Sequence, residues 1–575
     1  MNVLGILYLN QDPAASLMVD GRIVAMAEEE RFNRNKHARG CFPAEAVKYC
    51  LASGNLRLSD IQHLAVGWDI SAYKRIMPRL FGKLDRVYPD KDGLTRKWEE
   101  KQMRLYGGNN YPESIVSKLV ECGYDKTEIP PISFVRHHYA HALSAFVHSG
   151  FHESIVLVID GHGEEHCTTI WTANEKGLRR MKAIDIPHSL GWFYSAVTTL
   201  CGFLPNDGEG KTMGLAPYGS DNLVLRENIS RILACRNGGY SINPSNLYYG
   251  RRTKTHLYND SFFELLGKPE VETGTPGKLL RDIAFEAQRA LEKAVLNLCE
   301  WSVRKTHITN VCLAGGVALN CKMNGEILRS PLVRKLFIQP VSSDVGTTFG
   351  ASFAIYKREN RPLEHGELRH IYLGPRFSEG EILSALKKRP HRYRKIRDIE
   401  RKTAGLLAQG LTVGWFQGRM EVGPRALGNR SILADPRRPG MKDVVNNKVK
   451  FREPWRPFCP SVLYEHQHKY FIDSVFHPFM ILAVKVRPEK ESEIPAVVHV
   501  DHTARIQSVT FDENPRYWNL INEFYKITHV PVLLNTSMNL RGEPICCTPL
   551  DALNLFCKSS LDCLVLDDYL VEKAL

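Results

Sequence analysis

Two stretches of this chain follow one plan: a strand, a turn holding an aspartate, and a second strand. The first, VLGILYLNQDPAASLMVDGRIVAMAEEER, places Asp12 in the turn. The second, SIVLVIDGHGEEHCTTIWTANEKGLRRM, places Asp160 and Gly161 there. Apolar runs bounded by turn residues read as hairpins, and the repetition predicts a duplicated α/β unit. Each turn would bring a carboxylate and backbone amides to a cleft. Asp in a turn also has purely local backbone reasons, so the function must be argued from other residues.

The remaining chain extends that plan. An amphipathic helix is expected over about Pro276–Lys305, with Leu279, Ile283, Ala287, Leu291, Val295, Leu298 and Val303 on one stripe. It is followed by the strand ITNVCLAGGVALN and the loop PVSSDVGTTFGASFA. A strand, Gly-Gly and helix in succession set backbone N–H groups where a nucleotide phosphate can sit. The polar segment KRENRPLEHGELRH (Lys357–His370) reads as a linker, and Ile371–Leu575 reads as a second α/β domain. A chain of 575 residues needs more than one core.

Composition narrows the function class. Apolar content of 43% and charged content of 24% suit a soluble globular protein. The excess of 76 Lys+Arg over 63 Asp+Glu, +13 in all, favours anionic ligands but is too diffuse to indicate nucleic acid. No apolar run approaches a membrane span, and the first residues, lacking a basic region, read as a hairpin and not a signal peptide. The 14 Cys include no Cys-x-x-Cys, which is the pattern of reduced thiols in a cytoplasmic protein. The adjacent Cys546 and Cys547 are expected to pack and not to bridge.

Three constellations carry chemistry. EVGPRALGNRSILADPR and NNKVKFREPWRPF hold Arg425, Arg430, Lys448, Lys450, Arg452 and Arg456 among Gly, Pro and aromatic residues. Pro424, Pro454 and Pro457 stiffen the backbone, and stiffly held guanidinium forks suit bidentate recognition of phosphate or carboxylate. This predicts a small, densely charged, phosphate-bearing substrate. VRHHYAHALSAF holds His137, His138 and His141. On a helix His137 and His141 share a face at i and i+4, while His138 and His141 form an alternative i, i+3 pair. With Asp160 ending a strand soon afterwards and Asp344 in the SSDVG turn that follows another, two imidazoles plus carboxylates suit Fe(II) or Zn(II). GEGKTMGLAPYG sets Glu209 and Lys211 among glycines, as a semi-apolar pocket wall would.

Taken together, these motifs resemble one family nearly end to end. The chain is similar to O-carbamoyltransferases of the NodU and antibiotic-tailoring type, such as the tobramycin and hydroxymethylcephem enzymes. The resemblance rests on MAEEERFNRNKH, HHYAHALSAF, IDGHGE, GEGKTMGLAPYG, LAGGVALNC, SSDVGTTFGA, GPRALGNRSILADPR, NKVKFREPWRPFCP, VDHTARIQ and LLNTSMNLRGEPI. It implies an N-terminal duplicated actin-like (ASKHA) domain over 1–362 and a C-terminal YrdC-like domain over 371–575. The implied reaction makes carbamoyl adenylate from carbamoyl phosphate and ATP, with Mg accompanying ATP, and then carbamoylates a hydroxyl of a small-molecule natural product. Lys448, Lys450, Arg452, Arg456, Arg505 and Asn535 would neutralise phosphates, with Arg425 and Arg430 beside them; Lys450 and Arg456 would act directly in the chemistry. Glu209, Lys211, Gly214, Gly315, Gly316 and Asn320 would line an adenylate pocket. His137, His141, Asp160 and Asp344 would bind the metal, iron in this family. The expected assembly is a homodimer, with no membrane partner.

The chain departs from the family at one point: Gln11-Asp12 stands where His-Asp is usual. Glutamine accepts no proton at neutral pH, so Asp12, His138 or the metal must serve the acceptor hydroxyl. A rival reading is an RNA-modifying enzyme of the tRNA threonylcarbamoyl type, for which the clustered cations leave no separate basic stripe. A second rival, an ATP-dependent switch of the actin and chaperone class, accounts for neither the His pair nor the second anion-binding domain. The aromatic and basic stretches Ile70–Tyr111 and Tyr240–Asp260 are candidates for an acceptor-binding rim or for ordinary peripheral structure.

Overall fold

A computed structural model describes residues 1–9, 11–89, 93–106, 110–247, 258–268, 276–389 and 391–573, with the Lys448 side chain outside that set. The chain divides into two compact units. The first comprises Met1–Asn10, Ala14–Val24 and Phe42–Leu368, and the second Gln11–Pro13, Ala25–Cys41 and Arg369–Leu575. Residues 25–41, expected inside a first domain of 1–362, are thus counted with the second unit. Hydrogen bonds explain this: Met26 N donates to Leu373 O, Arg31 to Gly423 O, and Arg34 to Pro544 O and Ile545 O.

Two five-stranded sheets form the first unit. In one, β1 (Asn2–Leu7) pairs antiparallel with β2 (Ala14–Val19), beyond which lies β3 (Arg22–Glu28). On its other side β1 runs parallel to β4 (His63–Val66), and β4 to β5 (Ile132–Phe134). Asp20 and Gly21 both have positive φ in the β2–β3 turn, as an Asp-Gly hairpin turn requires. In the other sheet β6 (Glu153–Gly163), β7 (His166–Asn174) and β8 (Gly177–Asp185) form an antiparallel run. After a small ribbon of β9 (Leu233–Arg236) and β10 (Gly239–Ile242), β11 (Asn310–Ala314) and β12 (Lys335–Ile338) extend it in parallel from β6. The strand orders β3-β2-β1-β4-β5 and β8-β7-β6-β11-β12 are the same, so the duplicated α/β plan is present.

Small residues let the unit close. A Cβ on Gly350, in the helix Thr347–Arg358, would overlap Ala140 O in the helix His137–Ser149. A Cβ on Gly5 in β1 would overlap Thr348 O of that same Thr347–Arg358 helix. Backbone therefore lies against backbone where the two helices cross beside the sheet. The long amphipathic helix runs from Lys278 to Thr306. Two details differ from the expectation. Asp160 is not in a tight turn: β6 continues to Gly163 through a bulge, and the reversal comes at Glu164, whose φ is 44°. The segment read as a linker is partly bound, since Gly366 N and Leu368 N donate to Val147 O and His148 O.

The second unit is an eight-stranded mixed sheet. It contains β13 (His391–Lys395), β14 (Val413–Phe416), β15 (Arg430–Ala434) and β16 (Cys459–Leu463). A two-stranded ribbon of β17 (Ala483–Lys485) and β18 (Thr503–Arg505) precedes β19 (Gln507–Val509), β20 (Val532–Ser537), β21 (Cys563–Leu566) and β22 (Tyr569–Lys573). The sheet order is β13-β22-β21-β14-β15-β20-β16-β19.

Arg430 is a fold element and not the phosphate ligand expected from the GPRALGNR motif. It is fully buried, and its guanidinium lies 3.6 Å from the Phe416 ring centroid. Nε donates to Cys547 O, Nη1 to Gln417 O and Asn429 O, and Nη2 to Pro375 O and Gly418 O. A planar fork fits converging carbonyls as well as it fits a phosphate, and here carbonyls of the loops around β15 fill it. Glu421 fixes the same loop, with Oε1 accepting from Leu427 N, Asn429 N and Arg430 N. Arg430→Met should therefore lower stability by about 3 kcal/mol or more, because each stranded buried carbonyl costs roughly 1–3 kcal/mol. Denaturant unfolding of the full chain checks this; an unchanged midpoint would return Arg430 to the ligand set.

Candidate active site

Four side chains of the first unit converge at the ends of its two layers. His137 and His141 come from one face of the helix His137–Ser149, Asp160 from the bulge in β6, and Asp344 from the turn before the helix Thr347–Arg358. One ligand atom from each lies within 4.8 Å of all the others. The two Nε2 atoms are 3.2 Å apart, and Asp160 Oδ2 lies 3.1 Å from His141 Nε2 and 3.5 Å from His137 Nε2. Asp344 Oδ1 is 3.6 Å from His137 Nε2. Both imidazoles are buried, whereas the Asp344 side chain is 31% exposed, which leaves the cluster open on its side.

The surroundings orient this group. His137 Nδ1 lies 2.9 Å from Gly67 O, so Nδ1 carries the proton and Nε2 presents its lone pair to the cluster. The His137 backbone N–H donates to both carboxylate oxygens of Glu164, which also accepts from Asp69 N. A Cβ on Gly163 would overlap the His137 ring, so glycine is needed in that bend. Burial disfavours an imidazolium at His137, yet Asp160 and Asp344 hold its pKa well above the usual value. Burial likewise opposes the Asp160 carboxylate, yet His137 and His141 hold its pKa well below the usual range. The site is thus poised for one positive charge among the donors, either a proton or a metal ion. Two imidazoles and two carboxylates without a thiolate fit Fe(II), Zn(II) or a similar divalent ion.

His138 is placed differently. It is buried, its Nδ1 lies 3.0 Å from Thr169 Oγ1, and its Nε2 has no hydrogen-bond partner. Burial and the neighbouring His137 push its pKa well down, so it stays neutral and packs off the cluster.

The expected adenylate residues flank the same strands. Gly315 has φ 87°, and Gly316 comes close enough that a Cβ would lie 3.3 Å from Asp160 Oδ1. Asn320 caps the helix Cys321–Arg329 through Met323 N and bonds Gln288, which also accepts from Tyr194 OH. GEGKTMGL forms the helix Glu209–Leu215 with Gly208 at its N-cap. Glu209 accepts from Ser195 Oγ and Asn206 N, Lys211 Nζ lies 5.5 Å from the Phe203 ring centroid, and Gly214 is buried. The first rim candidate forms the helices Ile70–Val87 and Leu94–Tyr106, and its aromatics turn inward. Trp68, Tyr73, Trp98, Tyr106 and Tyr111 are buried, and the Trp68 ring centroid is 5.1 Å from that of His137. Much of the second, residues 248–257, lies outside the described residues.

In the second unit several of the expected cations gather, with Glu453 beside Arg456. Lys450, Arg452, Arg456 and Arg505 influence one another electrostatically: burial first, then Arg452 and Arg456, push the Lys450 pKa well down. Burial, Arg456 and Arg505 depress Arg452 in the same way. Arg452 Nε donates to Asn446 Oδ1 at 2.7 Å and its guanidinium stacks on Phe458. Arg505 Nε lies 3.1 Å from Cys459 Sγ, and Cys459 pairs in register with Asn535. Glu453, 3.7 Å from both Arg456 and Arg541, is the nearby carboxylate. Such mutual depression is relieved by an anion bound among the cations. Lys450 itself is an anchor: Nζ donates to Ser537 O, Asn539 O and Asn539 Oδ1 at 2.6–2.7 Å. Its ammonium was expected to reach phosphate, but its three protons are committed to β20 and the turn after it. Arg425 is half-buried in the same unit, and the Lys448 side chain lies outside the described residues.

Sequence reasoning missed Glu164 and the Gly67–Trp68 edge that orient His137, and gave no role to His37. The acidic pair in IDGHGEE was the available signal for the first. His37 closes the motif MAEEERFNRNKH, and its Nδ1 lies 2.7 Å from Asp12 Oδ1.

Comparison with known proteins identifies the family. Residues 2–353 match the family model Carbamoyltransferase N-terminus, and 404–573 match Carbamoyltransferase C-terminus. The chain is 36% identical to nodulation protein NolNO of Sinorhizobium fredii over 98% of this chain and 79% of that protein. It is 35% identical to nodulation protein U of Rhizobium tropici, over 94% of this chain and 92% of that one. Among solved structures, HypF of T. kodakarensis is 15% identical with a TM-score of 0.32, covering 63% of this chain and 48% of that one, a likeness too slight to carry an argument. The protein belongs to the carbamoyltransferase family, and it is a carbamoyltransferase.

Proposed function

We propose that this carbamoyltransferase uses carbamoyl phosphate and ATP to make carbamoyl adenylate, and then carbamoylates a hydroxyl of a small-molecule natural product. The observation that carries the reading is the gathering of Lys450, Arg452, Arg456 and Arg505, where burial and then the neighbouring cations push the Lys450 and Arg452 pKa values well down. Atom balance sets the first half-reaction. Carbamoyl phosphate gives up its phosphate to water, and the carbamate oxygen then attacks the α-phosphorus of ATP and displaces pyrophosphate. Arg452, Arg456 and Arg505 would neutralise the oxyanions as charge shifts between them. Lys450 would hold β20 in place beside them.

In the second half-reaction the acceptor oxygen attacks the carbamoyl carbon and AMP leaves. His137, His141, Asp160 and Asp344 would hold a divalent ion, with Mg accompanying ATP. That ion would supply Lewis acidity to a carbonyl or hydroxyl oxygen. Gly67 O and Glu164 would keep His137 in the metal-binding tautomer.

Pyrophosphate exchange into ATP should require carbamoyl phosphate. Mass spectrometry of a metabolite extract incubated with both substrates should find products heavier by one carbamoyl group. Arg456→Ala should reduce exchange by roughly 30-fold, the loss expected when a half-buried charge partner worth about 2 kcal/mol to a bound anion is removed. His141→Ala should keep exchange and lose the carbamoylated product. Exchange that proceeds without carbamoyl phosphate would refute the reading. Because the raised His137 pKa lets protons compete, bound metal should be retained at alkaline pH and released as pH falls; elemental analysis across a pH series checks the sign.

A further inference from the structure

A recess in the second unit is lined by two acceptors that the protein does not fill. Its volume is about 300 Å³ with the open mouth included, and both Thr510 and Glu513 line it. Thr510 Oγ1 and Glu513 Oε2 are buried atoms, and neither has a hydrogen-bond partner in the protein. A buried acceptor left unmet is destabilising, and more so when it belongs to a carboxylate. The other carboxylate oxygen is taken, since Arg369 Nε lies 2.7 Å from Glu513 Oε1. The Arg369 side chain is 51% exposed, so water screens that pair, and it answers for one oxygen only.

The rest of the lining is apolar or already satisfied. Leu427, Pro478, Phe479 and Val509 wall the recess beside Tyr372. Tyr372 OH donates to Leu427 O and accepts from Asn514 Nδ2, and Gln507 Nε2 also donates to Leu427 O. Asn514 Oδ1 caps the helix Pro515–Thr528 through Tyr517 N, and Ser508 Oγ donates to Gln467 Oε1. The hydroxyl donors of Tyr372 and Ser508 are thus used within the protein, while two acceptors are left over.

We propose that this recess binds a small protonated amine, whose ammonium donates to Glu513 Oε2 and Thr510 Oγ1 while its carbon chain lies against Pro478, Phe479 and Val509. An ammonium brings several donors and one positive charge, which is what two acceptors, one of them a carboxylate, call for. Apolar walls favour the stem, and an aromatic wall adds attraction for a cation that reaches its face. An anionic ligand would meet Glu513 as a like charge. A neutral alcohol has a single proton and can serve only one of the two acceptors. The site shares no residue with the His137, His141, Asp160 and Asp344 cluster or with the Lys450, Arg452, Arg456 and Arg505 group, so it does not depend on the carbamoyl-adenylate reading.

The test uses the full chain with butylammonium as the probe, and butanol and butyrate as its neutral and anionic counterparts, all at one ionic strength. Saturation-transfer NMR and equilibrium dialysis read the binding. Butylammonium should bind the wild type in preference to both counterparts. Glu513→Gln should weaken it by about tenfold or more, as loss of a hydrogen bond to a charged group does, and Thr510→Val by about fivefold, as loss of a neutral one does. Thermal unfolding of each variant checks that the fold is kept, and the nearly isosteric Thr510→Val carries the test if Glu513→Gln does not fold. Equal binding of butylammonium and butanol, a preference for butyrate, or no binding to the wild type would overturn the proposal. So would binding that the folded variants leave unchanged, which puts the probe elsewhere on the protein.

Discussion

Asp160 Oδ2 lies between two imidazole nitrogens, and much of the first unit serves to put it there. Its strand bulges at this point and reverses only at Glu164, and the carboxylate meets the histidines of the helix His137–Ser149. That helix is held close by Gly350 of a neighbouring helix, and its first histidine is oriented by Gly67 O and Glu164. Four donors this close, two of them anionic carboxylates, need a positive charge among them. Duplication of the strand plan supplies part of the geometry: His137 follows β5 and Asp344 follows β12, the edge strands that hold the same place in the two sheet orders.

Much of this was legible from residue order. The i, i+4 spacing of His137 and His141 requires only a helix, and the apolar run around it made a helix the natural reading. The duplicated hairpins followed from alternating strands and Asp-Gly turns. Asp160 was placed one feature too early because IDGHGE reads as a turn, whereas pairing with β7 extends the strand and pushes the reversal to Glu164.

What could not be read was the direction in which buried cations point. Arg430 and Lys450 occur in motifs that announce anion binding, but their protons meet backbone carbonyls. Sequence pattern carries no information on whether a guanidinium meets a phosphate or a carbonyl fork. Sequence separation hid the second point. Arg31 donates to Gly423 O across 392 residues, so the loop bearing Asp12 and His37 belongs with the second unit. Local periodicity has no means of reporting such a contact.

The metal site proposed for this carbamoyltransferase, His137, His141, Asp160 and Asp344, offers two nitrogen and two oxygen donors and no sulfur. X-ray absorption spectroscopy on the purified chain, together with elemental analysis, tests it most directly. The expected result is one divalent transition metal per chain, coordinated by nitrogen and oxygen with the scattering signature of two imidazoles. A metal bound through sulfur, or a chain active in carbamoyl transfer that retains no metal, would contradict it.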